Sequence, residues 1–364
     1  MVKKIWIGSD RAMYVAVVNA DLTESIFENQ VLGIDRLSNM PDHLIHHILS
    51  LLDTKSAVQK CLLSKHWRHH WTHTHALNFD HSSFRRRRNS FARFIRHVLR
   101  RHQPYKLSKL RFVTGGRRNQ SLISRILNYA KSHGVEELET DVIHFPPAFL
   151  KCETLKTLNL GPHRTIRALP PNSFGFKSLT TLQLTCVFIW LRENDLFSSF
   201  LNLENLKLID CVLLDAAKLD ISAPRLVNLR ISNLKYDGVI TVLVVSAPRL
   251  KYFHFDMSTP SLPLYVDDCV ALDKIDICLR DPYFYLDCIY AYIQYLMSVA
   301  QCFSHENAKS CVLSLIFPQQ RIILRRSSPH LPIKVEVLEQ DKRLWDIYYP
   351  CPMYLKLKGL SGPL

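Results

Sequence analysis

Residues 203–208 read Leu203-Glu204-Asn205-Leu206-Lys207-Leu208, and the same L-x-x-L-x-L pattern lies on both sides of them. Upstream it stands at Leu155-Leu158-Leu160 and Leu179-Leu182-Leu184; downstream it returns as Leu226-Leu229-Ile231, Leu250-Phe253-Phe255 and Leu272-Ile275-Ile277. The starts are 24, 24, 23, 24 and 22 residues apart. Two looser copies, Leu107-Leu110-Phe112 and Val135-Leu138-Thr140, come first at spacings of 28 and 20, so eight units are visible. A second signature moves with the first: Ile221-Ser222-Ala223-Pro224-Arg225-Leu226 recurs 24 residues on as Val245-Ser246-Ala247-Pro248-Arg249-Leu250.

Self-similarity at roughly 20–29 residues is the mark of leucine-rich repeats, each giving one short strand and a return segment. A single unit cannot bury its own leucines. Stacking does so, because each strand pairs with its neighbours at about 4.8 Å and the leucines of successive turns merge into one core. The expected fold is therefore an α/β repeat, a solenoid with a curved parallel sheet of about eight repeats. Within each strand the residue between the last two leucines points to the opposite, concave face. Those positions are Asn159, Gln183, Lys207, Arg230, His254 and Asp276, all polar or charged, and they are the candidate substrate-binding ladder. Lys207 beside Arg230 favours an acidic or phosphorylated group on a ligand; the alternative is a solvated strand face that binds nothing. Cys211, three residues after Leu208, reads as a small buried residue.

Between Asp35 and Trp71 the apolar period becomes helical, with Leu44, Ile48, Leu51 and Leu52 on one face and Ile45 and Leu49 widening it. Pro41 suits a first helical turn and Asp42 its dipole. Asp53 reads as the N-cap of a second helix carrying Ala57, Val58, Cys61 and Leu62, and Ser64 as the cap of a third with Trp67 and Trp71 at i, i+4. Three short helices seldom bury enough surface to stand alone, and a stripe this wide calls for a partner, either the rest of the chain or another protein.

These residues resemble the F-box proteins, in particular the plant F-box proteins with leucine-rich repeats. The resemblance is carried by Asp35-Arg36-Leu37-Ser38-Asn39-Met40-Pro41-Asp42, His46-His47-Ile48-Leu49-Ser50-Leu51-Leu52, Thr54-Lys55-Ser56-Ala57-Val58 and Leu63-Ser64-Lys65-His66-Trp67-Arg68-His69-His70-Trp71. It continues through Asn78-Phe79-Asp80 and the repeats. The family usually has an acidic residue where His43 stands, proline where Asp53 stands and arginine where His66 stands. A C-terminal domain common in these relatives is not evident after Pro318. The resemblance implies the substrate receptor of a Skp-cullin-F-box (SCF) ubiquitin ligase. The F-box docks on a Skp-type adaptor that bridges to a cullin and a RING protein, and the repeats hold a protein substrate. It also implies an adaptor-binding surface drawn from Leu37, Met40, Pro41, Leu44, Ile45, Ile48, Leu49, Val58, Leu62, Leu63 and Trp67. The alternative is a non-catalytic repeat scaffold acting outside ubiquitin transfer.

The resulting division is a 1–33 extension without assignment, an F-box over 34–80, a basic helical linker with the first weak repeat over 81–134, repeats with a C-terminal cap over 135–316, and an irregular segment over 317–364. Ala308 to Leu315 reads as one more strand closing the solenoid, and Tyr283 to Phe303 as amphipathic.

The 364 residues carry 47 Lys and Arg against 32 Asp and Glu, a net charge of +15. From His81 to Val135 there is no acid and there are fifteen bases, Arg85 to Arg88 among them. Direct nucleic-acid binding is nevertheless the weaker reading, because Phe91, Phe94, Ile95, Val98 and Leu99 follow helical core spacing and leave Arg93, Arg96, Arg100 and Arg101 to solvent. Arg85 to Arg88 could also serve nuclear import, and the location expected is cytoplasmic, nuclear or both. Ten glycines include no phosphate-cradling motif, ten cysteines form no C-x-x-C pair, and G-x-S-x-G and H-E-x-x-H are absent. No enzyme, cofactor or metal is expected. His66, His69, His70, His73 and His75 crowd ten residues, but no neighbouring cysteine or carboxylate in the sequence joins them as ligands. No apolar run is long enough to span a bilayer, and Asp10 and Arg11 interrupt any signal-like stretch.

Overall fold

In a computed structural model, the chain is described over residues 3–9, 12–18, 40–60, 66–84, 90–116, 119–161, 168–169, 176–190, 197, 199–214, 218–236, 242–257, 264–267, 269, 271–280, 310–316, 320–326 and 334–339. It divides into two compact units, Met1–Val142 and Ile143–Leu364.

The first unit opens with an antiparallel hairpin, β1 Lys3–Ser9 and β2 Ala12–Val18, where the sequence offered no assignment. Helix α1, Asp42–Ser50, starts after Pro41, whose carbonyl accepts from the N–H groups of Leu44 and Ile45. Helix α2, Thr54–Gln59, is capped as expected by Asp53, whose carboxylate accepts from Ser56 N at 3.0 Å. The third helix differs from expectation: among the described residues, 66–69 form turns and only His70–His73 is helical, as a short 3-10 segment. Thr72 and Thr74 turn their hydroxyls onto the carbonyls of His69 and Trp71, three residues back, and so compete with a regular α-helix. Trp67 and Trp71 are buried all the same, at 3% and 6% exposure.

Strand β3 Ala76–Asp80, helix α3 Ser90–Arg101, strand β4 Lys109–Val113, helix α4 Gln120–Ser132 and strand β5 Glu137–Thr140 follow. The three strands are parallel, with Leu77, Leu110 and Leu138 in one register row and Phe79, Phe112 and Thr140 in the next. Phe91, Ile95 and Val98 of α3 are buried, with the Phe91 ring stacked 6.3 Å from that of Phe112, while Arg93, Arg96, Arg100 and Arg101 are exposed. The α1–α2 region is fastened to this sheet by Asn78 N, which donates to the buried Thr54 hydroxyl at 2.7 Å.

The second unit is the regular solenoid. After the single-turn α5, Pro147–Leu150, the parallel strands are β6 Thr157–Leu160, β8 Thr181–Thr185, β10 Asn205–Ile209, β13 Asn228–Ser232, β16 Tyr252–Met257, β18 Lys274–Arg280 and β19 Ser310–Ile316. The return segments carry two smaller parallel sheets, β7 Ala168–Leu169, β9 Phe188–Trp190, β11 Val212–Leu214 and β14 Lys235–Tyr236 in one, and β12 Lys218–Ser222, β15 Val242–Ser246 and β17 Leu264–Asp267 in the other. All eight sequence motifs thus fall on parallel strands, and their leucines, isoleucines and phenylalanines are buried. Four successive described turns, after β6, β8, β10 and β13, leave their strands through one positive-φ residue: φ is +113° at Gly161, +54° at Cys186, +52° at Asp210 and +51° at Asn233. The N–H groups of Cys186, Asp210 and Asn233 donate to the carbonyls of Ile209, Ser232 and Asp256, register-equivalent positions on the following strand. Cys211 is fully buried, and burial pushes its thiol up to about 11, so it is an inert core residue.

β19 closes the parallel run as expected. Beyond it, the segment predicted to be irregular holds two strands, β20 Gln320–Arg326 and β21 Lys334–Glu339, added antiparallel to β19. Antiparallel pairing has no 24-residue period to betray it, and Pro329 and Pro332 lie between the strands rather than within them. The amphipathic stretch from Tyr283 to Phe303 and the runs Arg85 to Arg88 and Cys61 to Lys65 lie outside the described residues. Among those described, no helix is long and apolar enough to cross a membrane.

Candidate binding surfaces

The candidate adaptor surface separates into core and exposed residues. Ile45, Leu49 and Trp67 are buried at 0%, 3% and 3% exposure and hold the helical region together. Met40, Leu44, Ile48 and Val58 are half-buried and Pro41 is exposed. Pro41, Leu44, Ile48 and Leu51 recur along one helix face, and Leu51, a large apolar side chain, is 68% exposed. Leu37, Leu62 and Leu63 lie outside the described residues. His70, half-buried beside this surface, is held below the ordinary imidazole range by burial and by the neighbouring His46, His66 and His73, with Asp42 opposing.

The concave ladder is in register. Asn159 pairs with Gln183, Gln183 with Lys207, Lys207 with Arg230, Arg230 with His254 and His254 with Asp276. Equal spacing puts equivalent residues side by side, which is why the column could be read from sequence. The structure then divides it. Lys207, Arg230, His254 and Asp276 line a trough of about 270 Å³, whereas Asn159 and Gln183 lie outside it. The strand-start column, which the sequence reading passed over, supplies Asn205, Asn228, Tyr252 and Lys274. Its members are tied together: Asn228 Nδ2 donates to Asn205 Oδ1 at 2.6 Å, and Asn205 Nδ2 to Thr181 Oγ1 at 3.2 Å. The alternation of strand side chains was the available signal, since any residue two before a concave position shares its face.

Lys207, Arg230 and Lys274 are exposed cations in this trough, and its carboxylate, Asp276, lies 3.2 Å from His254 Nδ1. Tyr252, 49% exposed, adds an aromatic wall with a polar tip. The arrangement suits an extended acidic segment: cations to pair with it, amides to hydrogen-bond it and an aromatic face to pack on.

The basic region of the first unit looks different in three dimensions. Lys106 pairs with Glu136, Lys109 with Glu137 at 2.7 Å, and Arg111 with Glu139 at 2.7 Å and Asp80 at 3.1 Å. The three glutamates come from the next turn, 28 to 30 residues on, and Asp80 from the preceding strand, β3. Burial works against the Arg111 charge, but Glu139 and Asp80 outweigh it and hold the guanidinium above its ordinary range. These three cations are therefore neutralised within the fold.

Comparison with known proteins agrees with both regions. The F-box domain family matches residues 37–75, and the leucine-rich-repeat domain family described as At1g61320/AtMIF1 matches residues 98–322. An F-box/LRR-repeat protein of Arabidopsis thaliana is 29% identical over 233 residues, 61% of this chain and 75% of that one. An F-box/FBD/LRR-repeat protein of the same plant is 30% identical over 245 residues, 63% of this chain and 52% of its own. A further F-box/LRR-repeat protein is 28% identical over 199 residues, 49% of this chain and 39% of its own. The chain spans about half the length of the F-box/FBD/LRR-repeat relatives it matches. No solved structure matches it significantly.

Proposed function

We infer from the family to which this chain belongs, the plant F-box proteins with leucine-rich repeats, that it is the substrate-recognition subunit of an SCF-type ubiquitin ligase. The observation that carries this reading is the apolar face of Pro41, Leu44, Ile48 and Leu51, left open while Ile45, Leu49 and Trp67 form the core behind it. A helical face of this kind is what a Skp-type adaptor would cover, and through it the cullin and RING subunits would be recruited. The chain performs no covalent step of its own; it brings a substrate within reach of ubiquitin carried by other subunits. The trough between β10 and β18 is the substrate site, and Lys207, Arg230 and Lys274 favour an acidic or phosphorylated segment of a protein.

The test is co-expression with a plant Skp-type adaptor followed by size-exclusion chromatography. Wild type should co-elute with the adaptor, and Leu44→Asp/Ile48→Asp, which leaves Ile45 and Leu49 in place, should elute alone with its helical content unchanged. A folded wild type that elutes apart from the adaptor would overturn the ligase reading. It would leave a repeat scaffold outside ubiquitin transfer, whose helical region is held to its own strand β3 by the Thr54–Asn78 bond.

A further inference from the structure

Two histidines and a carboxylate converge at the start of α1. His66 Nε2 lies 3.2 Å from Asp42 Oδ1, and His70 Nε2 lies 3.6 Å from the same oxygen. All three ligand atoms fall within 4.8 Å of one another. Asp42 stands 24 and 28 residues before the histidines, so no local motif joins them; the packing of α1 against the 66–73 segment does. The histidine pair, at i and i+4, faces one side of its own segment, and Asp42 supplies the carboxylate that the sequence around the histidines lacks.

We propose that Asp42, His66 and His70 form a divalent transition-metal site, of Zn²⁺ type, that clamps the first turn of α1 to the 66–73 segment. Ligands at about 2.0–2.2 Å around a tetrahedral Zn²⁺ stand about 3.3–3.6 Å from one another, close to the 3.2 Å and 3.6 Å that separate the two histidines from the Asp42 oxygen. Two imidazoles with one carboxylate are a donor set that suits zinc and disfavours calcium and magnesium, which take oxygen ligands. The outer shell is also in place. His46 Nε2 lies 3.0 Å from His70 Nδ1, so a proton on His70 Nδ1 can be donated to His46, leaving Nε2 free to bind. The Met40 carbonyl oxygen, 3.3 Å from His66 Nε2, or a water completes the fourth position. Exposure of 68% at Asp42 and 39% at His66 leaves an entry path from solvent, while His70 at 14% anchors the inner side. The site lies beside the open apolar face but is independent of it: it binds metal whether or not an adaptor docks.

The test uses the full chain, freed of metal by chelation and titrated with Zn²⁺ by calorimetry and with Co²⁺ by visible absorption. Wild type should bind one equivalent at this site, and the Co²⁺ spectrum should show tetrahedral bands without the charge-transfer bands of thiolate ligation. His66→Arg, which can still pair with Asp42 but has no lone pair to donate, should lose that equivalent. Asp42→Asn, at an exposed position where folding is safe, should weaken binding at least about tenfold, and His46→Ala about 10–100-fold through the outer shell. Binding of equal stoichiometry and affinity in wild type, His66→Arg and Asp42→Asn would place the metal on the chain's other histidines and cysteines and overturn the proposal. So would the absence of any bound equivalent in wild type, or a thiolate-type Co²⁺ spectrum.

Discussion

Gly161 shows how much one residue can fix in a repeat. It stands at the turn exit that Cys186, Asp210 and Asn233 occupy in later repeats, but at φ +113° rather than near +50°. A Cβ there would lie 2.1 Å from the Thr185 carbonyl oxygen, well inside contact distance. Backbone strain of this kind costs on the order of 1–3 kcal/mol before the clash is relieved. Gly161→Ala should therefore lower the thermal midpoint, whereas Asn233→Gly, which gives up the Asn233 Nδ2 bond to Asp210 Oδ1 at 2.6 Å but relieves a left-handed backbone, should lower it less; differential scanning calorimetry on both variants tests the contrast. Asp141 makes the opposite case, in which a side chain satisfies backbone. Its carboxylate, 3% exposed, accepts from Thr114 N at 2.7 Å, Thr114 Oγ1 at 2.9 Å and Gly116 N at 3.1 Å. Asp141→Ala removes the acceptor shared by these donors and should destabilise by about 1–3 kcal/mol in denaturant unfolding. Unchanged stability in that variant would mean water replaces the carboxylate at no cost.

Between α3 and α4, His102 links elements through a buried ring. It is 3% exposed, its Nε2 donates to the Thr74 carbonyl at 2.9 Å, and the Tyr129 hydroxyl lies 2.8 Å from Nδ1. Burial first, then the nearby His133, His73 and His75, push its pKa down to about 4 from 6.5, against the Thr74 hydrogen bond. The unfolded chain takes up this proton near pH 6.5 and the folded chain only near pH 4, so in that window the unfolded state binds more protons and stability rises with pH. The contribution is whole above pH 6.5 and is lost as pH falls toward 4, at most about 3 kcal/mol. Wild type should lose more stability between pH 7 and 5 than His102→Gln, and parallel pH profiles for the two would discard the assignment. The elements themselves were unequally legible. Leu158, Leu182, Leu206 and Leu229 could be placed from sequence because a fixed period and parallel register make spacing and neighbourhood the same thing. The Asp53 cap and the core face of α3 were legible because their signals are local. Glu136, Glu137 and Glu139, which neutralise Lys106, Lys109 and Arg111, were missed because charge was weighed along the chain and not across the sheet. Asp42 was missed as a partner of His66 and His70 for the same reason. β20 and β21 escaped because they obey no repeat.

At the scale of the whole molecule, a solenoid is held by contacts between neighbouring turns, so its ends are its weak points. Each terminal turn presents apolar core and a row of unpaired backbone groups, and such an edge invites pairing with another chain. Here the C-terminal edge of the parallel run, β19, is covered by β20, and β20 by β21, both antiparallel. The change of direction matters because a further parallel turn would need its own return segment, whereas an antiparallel hairpin closes the edge with a short connection. Gln320 to Arg326 also carries three arginines, and Lys334 to Glu339 sets Lys334, Glu336 and Glu339 among valines and leucine, so the outermost of the described strands carries charges that discourage further addition. A chain ending at Pro318 should accordingly self-associate, seen as a concentration-dependent rise in mass by light scattering, and should unfold at lower temperature than the full chain. Restoring residues 319–339 should return both to full-chain values. If the shortened chain stays monomeric and melts unchanged, β19 is a sufficient cap by itself, and β20 with β21 must be explained by binding rather than by closure of the stack.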